Sequence, residues 1–309
     1  MQDDQFTVVV KERVDIAEDV ACFTLASIEG SDLPAFTAGA HIELALGNGH
    51  RRAYSICSQP SDLSHYQIAV KREDPGRGGS AFIHDQFHVG SEVSISAPKN
   101  YFALDTSASS SLLIGGGIGI TPLLSMAFAL TELEKPFEII FCSSRYESPL
   151  FEALCQKQEW KVTFINCGRE GLASVLQDKS LDADTHVYCC GPNAFMADVR
   201  KALDVNEANW HQESFTAESV AVETSTSLYL SESDLTLELS EGESMLDVIR
   251  SAGIEVETVC EQGVCGSCVV AWRDGEPVHN DSCMDDDERG EYVALCCAGC
   301  RSSSLTLEL

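Results

Sequence analysis

Basic residues are scarce in this 309-residue sequence: 20 Lys and Arg stand against 49 Asp and Glu, a formal charge of −29. So acidic a surface repels nucleic-acid backbones and anionic membranes, and neither is expected as a partner. A secretory signal is missing too. The start, Met1-Gln2-Asp3-Asp4, is acidic and has no apolar stretch, so the chain is expected in the cytoplasm. One uncharged run, Ser111 to Leu130, is long enough to span a bilayer. Gly115-Gly116-Gly117-Ile118-Gly119 and Thr121-Pro122 interrupt it, so it reads as strand, glycine loop and helix start. No internal repeat is present. Apolar residues make up 44% and charged ones 22%, which excludes a disordered or fibrous chain.

About half of the excess acid lies between Glu223 and Leu309, with 19 acidic and 4 basic residues. A solubilising surface and a docking face for a basic protein partner both fit that bias. Fourteen cysteines are present. Without export, clustered cysteines are better read as metal ligands or reactive thiols than as disulfides.

The length suggests about two domains, and the chain divides into three rhythms. Residues 1–105 hold short β-branched or alternating runs such as Phe6–Val10, Ala21–Leu25, His41–Leu44, Tyr66–Val70 and Val93–Ser96. Turn signals such as Gly47-Asn48-Gly49 separate them, and a small antiparallel β-barrel is expected. Residues 106–222 alternate strand and helix. Strands are expected at Ser111–Ile114, Phe137–Cys142, Lys161–Ile165 and His186–Cys190, with helices at Pro122–Glu134 and from Asn193 to about Asn206. That order implies a parallel α/β sheet. Residues 223–309 suggest a hairpin, Leu228–Leu230 with Leu235–Leu239, and a helix from Ser244 to Ala252 ended by Gly253. The stretch 217–227 reads as a linker.

Near the C-terminus Cys260, Cys265 and Cys268 are spaced C-x4-C-x2-C, and Cys296 follows after 27 residues. This is the plant-type spacing for a [2Fe–2S] cluster. One tight loop can wrap three thiolates around two irons, and a separate strand must bring the fourth. Gly263, Gly266 and Ser267 lack bulk, so the loop can approach the cluster closely. Zinc sites favour pairs of cysteines on both sides, which the triplet does not offer. Cys297 and Cys300 compete with Cys296 for the fourth position, and Cys283 reads as a bystander.

In the first segment, Arg51-Arg52-Ala53-Tyr54-Ser55-Ile56 is expected at the end of a barrel strand. A tyrosine can stack on an isoalloxazine, a serine can hydrogen-bond near its reactive nitrogen, and an arginine can clamp a phosphate. Gly76-Arg77-Gly78-Gly79-Ser80 then offers consecutive amides and a hydroxyl at a helix start, an anion-binding nest. In the second segment, Gly116, Gly117, Ile118, Gly119, Thr121 and Pro122 link a buried strand to a helix, as a pyrophosphate site would. The spacing is not the G-x-G-x-x-G fingerprint. Cys190-Gly191-Pro192 ends another strand of that sheet, where ligands of open α/β sheets bind. Cys189 reads as core, Cys190 as facing the nicotinamide.

Taken in order, Arg52 to Ser55, Gly76 to Ser80, Gly116 to Pro122, Tyr188 to Pro192, His211-Gln212-Glu213-Ser214-Phe215 and the four cysteines resemble the phthalate dioxygenase reductase family over almost the whole chain. That family includes the vanillate demethylase and carnitine monooxygenase reductases. The resemblance implies an FMN-binding antiparallel β-barrel (1–105), an NAD-binding parallel α/β domain (106–222) and a C-terminal β-grasp plant-type ferredoxin domain (223–309). It implies FMN, NADH and a [2Fe–2S] cluster. Arg52, Ala53, Tyr54 and Ser55 would carry over as flavin contacts, Gly78, Gly79 and Ser80 as the phosphate site, and Val70 and Lys71 as main-chain contacts to the ring. Ser55, Thr121, Cys190 and Phe215 would lie at the reacting flavin and nicotinamide. Ile56 stands where many relatives have leucine. The segment after Cys296 aligns with the family, which favours it as the fourth ligand.

Electron counting gives the activity. A nicotinamide releases two electrons together, a [2Fe–2S] cluster takes one, and a flavin can do both, so the flavin must stand between them. A plant-type cluster has a potential of about −400 mV, low enough to drive an oxygen-activating partner. The expected function is the reductase component of a two-component Rieske non-haem iron oxygenase, monomeric on its own. A separate ferredoxin or haem protein as acceptor is one alternative, and a zinc-binding sensor or interaction module another. Arg145 after Phe141–Ser144 could meet a 2′-phosphate and favour NADPH.

Overall fold

The computed structural model describes residues 5–47, 51–73, 78–143, 160–166, 169–177, 179–215, 225–261, 263–281 and 283–309. Two compact units emerge, Met1–Ser214 and Phe215–Leu309. Gly76, Arg77, Arg145, the tip of the 47–49 turn and most of the expected linker lie outside the described residues.

The first unit begins with β1 (Gln5–Ala17), β2 (Val20–Ser27), β3 (His41–Ala45), β4 (Arg51–Ser55), β5 (Tyr66–Lys71), α1 (Gly79–Gln86) and β6 (Glu92–Ser96). The strands form one antiparallel sheet in the order β4-β3-β6-β1-β2-β5. Alternation sends Phe23, Leu25, Ile42, Leu44, Ile68 and Ile95 to a common core, each essentially inaccessible. The Arg51–Ser55 run, expected at a strand end, is itself a strand. Its pairing with β3 overrides the two adjacent arginines, because Glu43, fully buried on β3, binds Arg51 at 3.3 Å and Lys99 at 2.8 Å.

The same unit continues with β7 (Ser110–Gly116), α2 (Ile120–Glu132), β8 (Phe137–Ser143), β9 (Val162–Asn166), α3 (Arg169–Gln177), β10 (Thr185–Cys190), α4 (Asn193–Ala202) and β11 (Trp210–Glu213). All five strands run parallel in the order β11-β10-β7-β8-β9. Burial on both faces explains the unbroken apolar run Leu112-Leu113-Ile114. Helix α4 stops at Ala202, four residues short of the expected end. Leu203 turns extended and drops into the core, and Arg200 closes the end through Val205 O at 2.8 Å.

The second unit holds β12 (Thr226–Leu230), β13 (Leu235–Leu239), α5 (Met245–Ser251), β14 (Val269–Asp274), β15 (Pro277–Val278), α6 (Asp286–Arg289), β16 (Tyr292–Ala294), β17 (Gly299–Cys300) and β18 (Ser304–Leu307). Its mixed sheet has the order β13-β12-β18-β14-β16, with the last strand parallel to the first. Helix α5 starts at Ser244, whose Oγ accepts the Asp247 N–H, and ends before Gly253 at φ 83°. Among the described residues no helix is long and apolar enough to cross a membrane.

Candidate functional site: a flavin strand, a nucleotide loop and a cysteine loop

On β4 the side chains alternate. Arg52 and Tyr54 share one face and Ala53 and Ser55 the other, opposite Leu44, Ile42, Glu43 and His41 respectively. Burial pushes the Tyr54 phenol up to about 12, with Arg52 opposing. Burial also lowers the Arg52 pKa, although Tyr54 raises it. Among the described residues no carboxylate pairs with this guanidinium, which donates to Arg51 O at 2.8 Å. A half-buried cation in that position calls for an anion.

The start of α1 lies beside this arginine. Gly78 caps the helix at φ 77°, and no acid occupies the first turn. Gly79 leaves room for the arginine stem: a Cβ there would stand 2.9 Å from Arg52 Cγ. Ser80 Oγ accepts the Glu73 N–H at 3.0 Å. The arginine stem and the helix start thus lie against each other. Val70 pairs with Ala21 and Lys71 with Val20; the Val70 carbonyl meets His84 Nε2 at 2.9 Å, and Lys71 pairs with Glu73. β5, which carries Val70 and Lys71, lies against the 3-10 turn Gly117–Gly119, so these two expected ring contacts and the nucleotide loop are on neighbouring elements.

In that loop the backbone enters tightly. Gly117 takes φ 57°, and a Cβ on Gly119 would stand 2.6 Å from the Cys190 carbonyl carbon. Gly116 and Gly191 both face the Phe195 ring. Thr121 is buried at the start of α2, with Oγ1 donating to Ile118 O at 3.0 Å, and Pro122 follows in the same first turn. Cys190 aligns with Gly115 on one side and Glu213 on the other, at the carboxyl ends of three parallel strands. Burial first, then the Glu213 charge, pushes the Cys190 thiol far up. Pro192 leads directly into α4. Cys189 lies in the core, as expected. Phe215 is half-buried and opens the second unit.

Two residues of the first unit escaped the sequence reading. Burial pushes the Glu213 carboxyl up to about 8, and its Oε2 has no hydrogen-bond partner among the described residues. His41, opposite Ser55, is pushed down to about 4 by burial and then by Lys99. Their one sequence signal was position: an acid in the quoted His211–Phe215 run, and a histidine opening a barrel strand.

In the second unit the loop brings its thiols together as pairs. Cys265 is hydrogen-bonded with Cys260, which, with further bonds from Ser267, lowers its thiol to about 5 despite burial. Cys268 meets Cys296. Among the described residues no three ligands converge on one ion; two pairs of thiols are what two irons require. Gly263 is essential to this packing. It sits at φ 73°, and a Cβ would stand 2.7 Å from Cys297 Sγ and 3.0 Å from Asp281 Cα. Cys297 contacts Cys296 and donates to Ala294 O at 3.7 Å, whereas Cys300 is turned to Ser302. Cys283 points to Asp281 Oδ2 at 3.9 Å.

Known proteins repeat this order. A 2Fe-2S iron–sulfur cluster binding domain matches residues 228–301, and an oxidoreductase FAD-binding domain matches residues 7–103. Phthalate dioxygenase reductase of Burkholderia cepacia is 37% identical over 308 residues, covering 95% of this chain and 94% of its own. The carnitine monooxygenase reductase subunit of Escherichia coli is 37% identical, covering 98% of both. A solved structure of phthalate dioxygenase reductase, described as modular for electron transfer from pyridine nucleotides to [2Fe–2S], superposes with TM-score 0.75. It is 35% identical and covers 99% of this chain and 98% of its own.

Proposed function

The chain belongs to the phthalate dioxygenase reductase family, and on that premise we propose that its acceptor is a Rieske-type non-haem iron oxygenase. It is an electron-transfer oxidoreductase of an oxygenase system, using NADH, a flavin (FMN in this family) and a [2Fe–2S] cluster. When bound, these groups supply hydride delivery, conversion of an electron pair into single electrons, and one-electron carriage.

The chain's own residues bind and orient. Arg52 and the α1 start hold the flavin phosphate, Tyr54 lines the ring, and Ser55, buried beside His41, offers a hydroxyl to its reactive edge. The Gly116–Gly119 loop and the α2 start take the pyrophosphate, and Cys190, kept a neutral thiol by burial, faces the nicotinamide. Cys260, Cys265, Cys268 and Cys296 hold the cluster. We assign 1–105 to the flavin, 106–222 to the nucleotide and 223–309 to the cluster.

The observation that carries this reading is the two-pair meeting of four thiols in a chain whose other unit presents a glycine loop at the ends of a parallel sheet. All twelve described cysteines carry free thiols, which suits the cytoplasm. The protein is expected to elute as a monomer. Purified with its cofactors, it should reduce cytochrome c and a Rieske oxygenase with NADH. Failure to pass electrons to either acceptor overturns the reading.

A further inference from the structure

Ser267 Oγ stands between two groups of the cysteine loop. It accepts the Val259 N–H at 3.0 Å and lies 3.1 Å from Cys265 Sγ. A hydroxyl has one hydrogen and two lone pairs. The Val259 amide engages one lone pair, which leaves the hydrogen and the second lone pair for the sulfur. Gly266, at φ 75° with open space where a Cβ would be, gives the chain the turn that folds Ser267 back over Cys265. On the reading that the four cysteines hold a [2Fe–2S] cluster, Cys265 is a thiolate with only lone pairs to offer. Ser267 is then the donor.

We infer that Ser267 is a positioning residue for the one-electron step: its hydroxyl, oriented by the Val259 amide, donates to the Cys265 ligand sulfur and raises the cluster's reduction potential. Reduction adds negative charge that is shared with the ligand sulfurs, and a fixed donor favours the more negative state.

The test is an EPR-monitored potentiometric titration of the holoprotein, with resonance Raman of the iron–cysteine stretches. Ser267→Ala should retain two irons per chain and lose about tenfold in the one-electron reduction equilibrium, ~59 mV, with a shifted iron–cysteine band. Ser267→Thr should restore both. An alanine variant at the wild-type potential with unmoved bands overturns the inference, as does a threonine variant displaced as far as alanine. Should alanine fail to keep its cluster, Ser267→Cys is read instead. It keeps a weaker donor and should fall between threonine and full loss; the wild-type value there also contradicts the inference. A wild-type protein with no iron–sulfur signal removes the underlying cluster reading, whereas a normal signal without a serine effect removes only this inference.

Discussion

Gly119 lies directly against the backbone of Cys190, so that a Cβ would stand 2.6 Å from its carbonyl carbon and 2.8 Å from Gly191 N. The loop after β7 and the end of β10 are therefore held at one separation, with no side chain between them. Gly119→Ala must push one backbone off the other, at a cost of about 1–3 kcal/mol. Displacing the nucleotide loop by a fraction of an ångström to an ångström is expected to slow flavin reduction by NADH up to ~100-fold. Stopped-flow bleaching of the flavin measures this, and an unchanged rate contradicts the assignment of the loop.

Arg52 is a half-buried cation whose anion the flavin is to supply. Arg52→Ala removes charge-assisted bonds worth about 1.5–3 kcal/mol, so flavin should dissociate some 10- to 100-fold more readily. Gly79→Ala should act in the same direction, because the new Cβ displaces the Arg52 stem. Ultrafiltration of released flavin checks both.

Glu213 gives stability a pH dependence with a definite sign. Its carboxyl is raised to about 8 in the folded chain, against about 4.3 when unfolded. Folding therefore favours the protonated form. The stabilisation is complete below the unfolded pKa and is lost as pH rises through about 8. Glu213→Gln should abolish this loss and gain a few kcal/mol relative to wild type at pH 8, but little at pH 4.5. Thermal unfolding across that range, followed for the first unit, reads the difference.

Cys265→Ser should abolish the cluster and leave NADH-to-flavin reduction intact, since the two lie in different compact units. Cys296→Ala should behave alike, whereas Cys297→Ala and Cys300→Ala should retain two irons per chain. Iron loss in the Cys297 variant alone would reassign the fourth ligand.

The sequence made the site legible where chemistry forces spacing. Three thiolates around two irons require a short loop, and glycines must stand where a backbone turns left-handed or touches another, as at Gly263 and Gly119. Helix α5 was legible through Ser244 and Gly253, which act locally. What stayed hidden depends on contacts between distant residues. Nothing near Glu43 announces that it will be fully buried with Arg51 and Lys99 and thereby hold β3 to β4. The early end of α4 depends on a buried site for Leu203. Glu213 becomes unusual only because the fold buries it at the end of a strand paired with β10.

The most direct measurement is an anaerobic NADH titration of the fully loaded protein, followed by absorbance and low-temperature EPR. Bleaching of the flavin accompanied by a rhombic iron–sulfur signal is the expected result. A bleached flavin with no such signal, at two irons per chain, would contradict the central claim that a cluster held by four C-terminal cysteines carries single electrons out of this molecule.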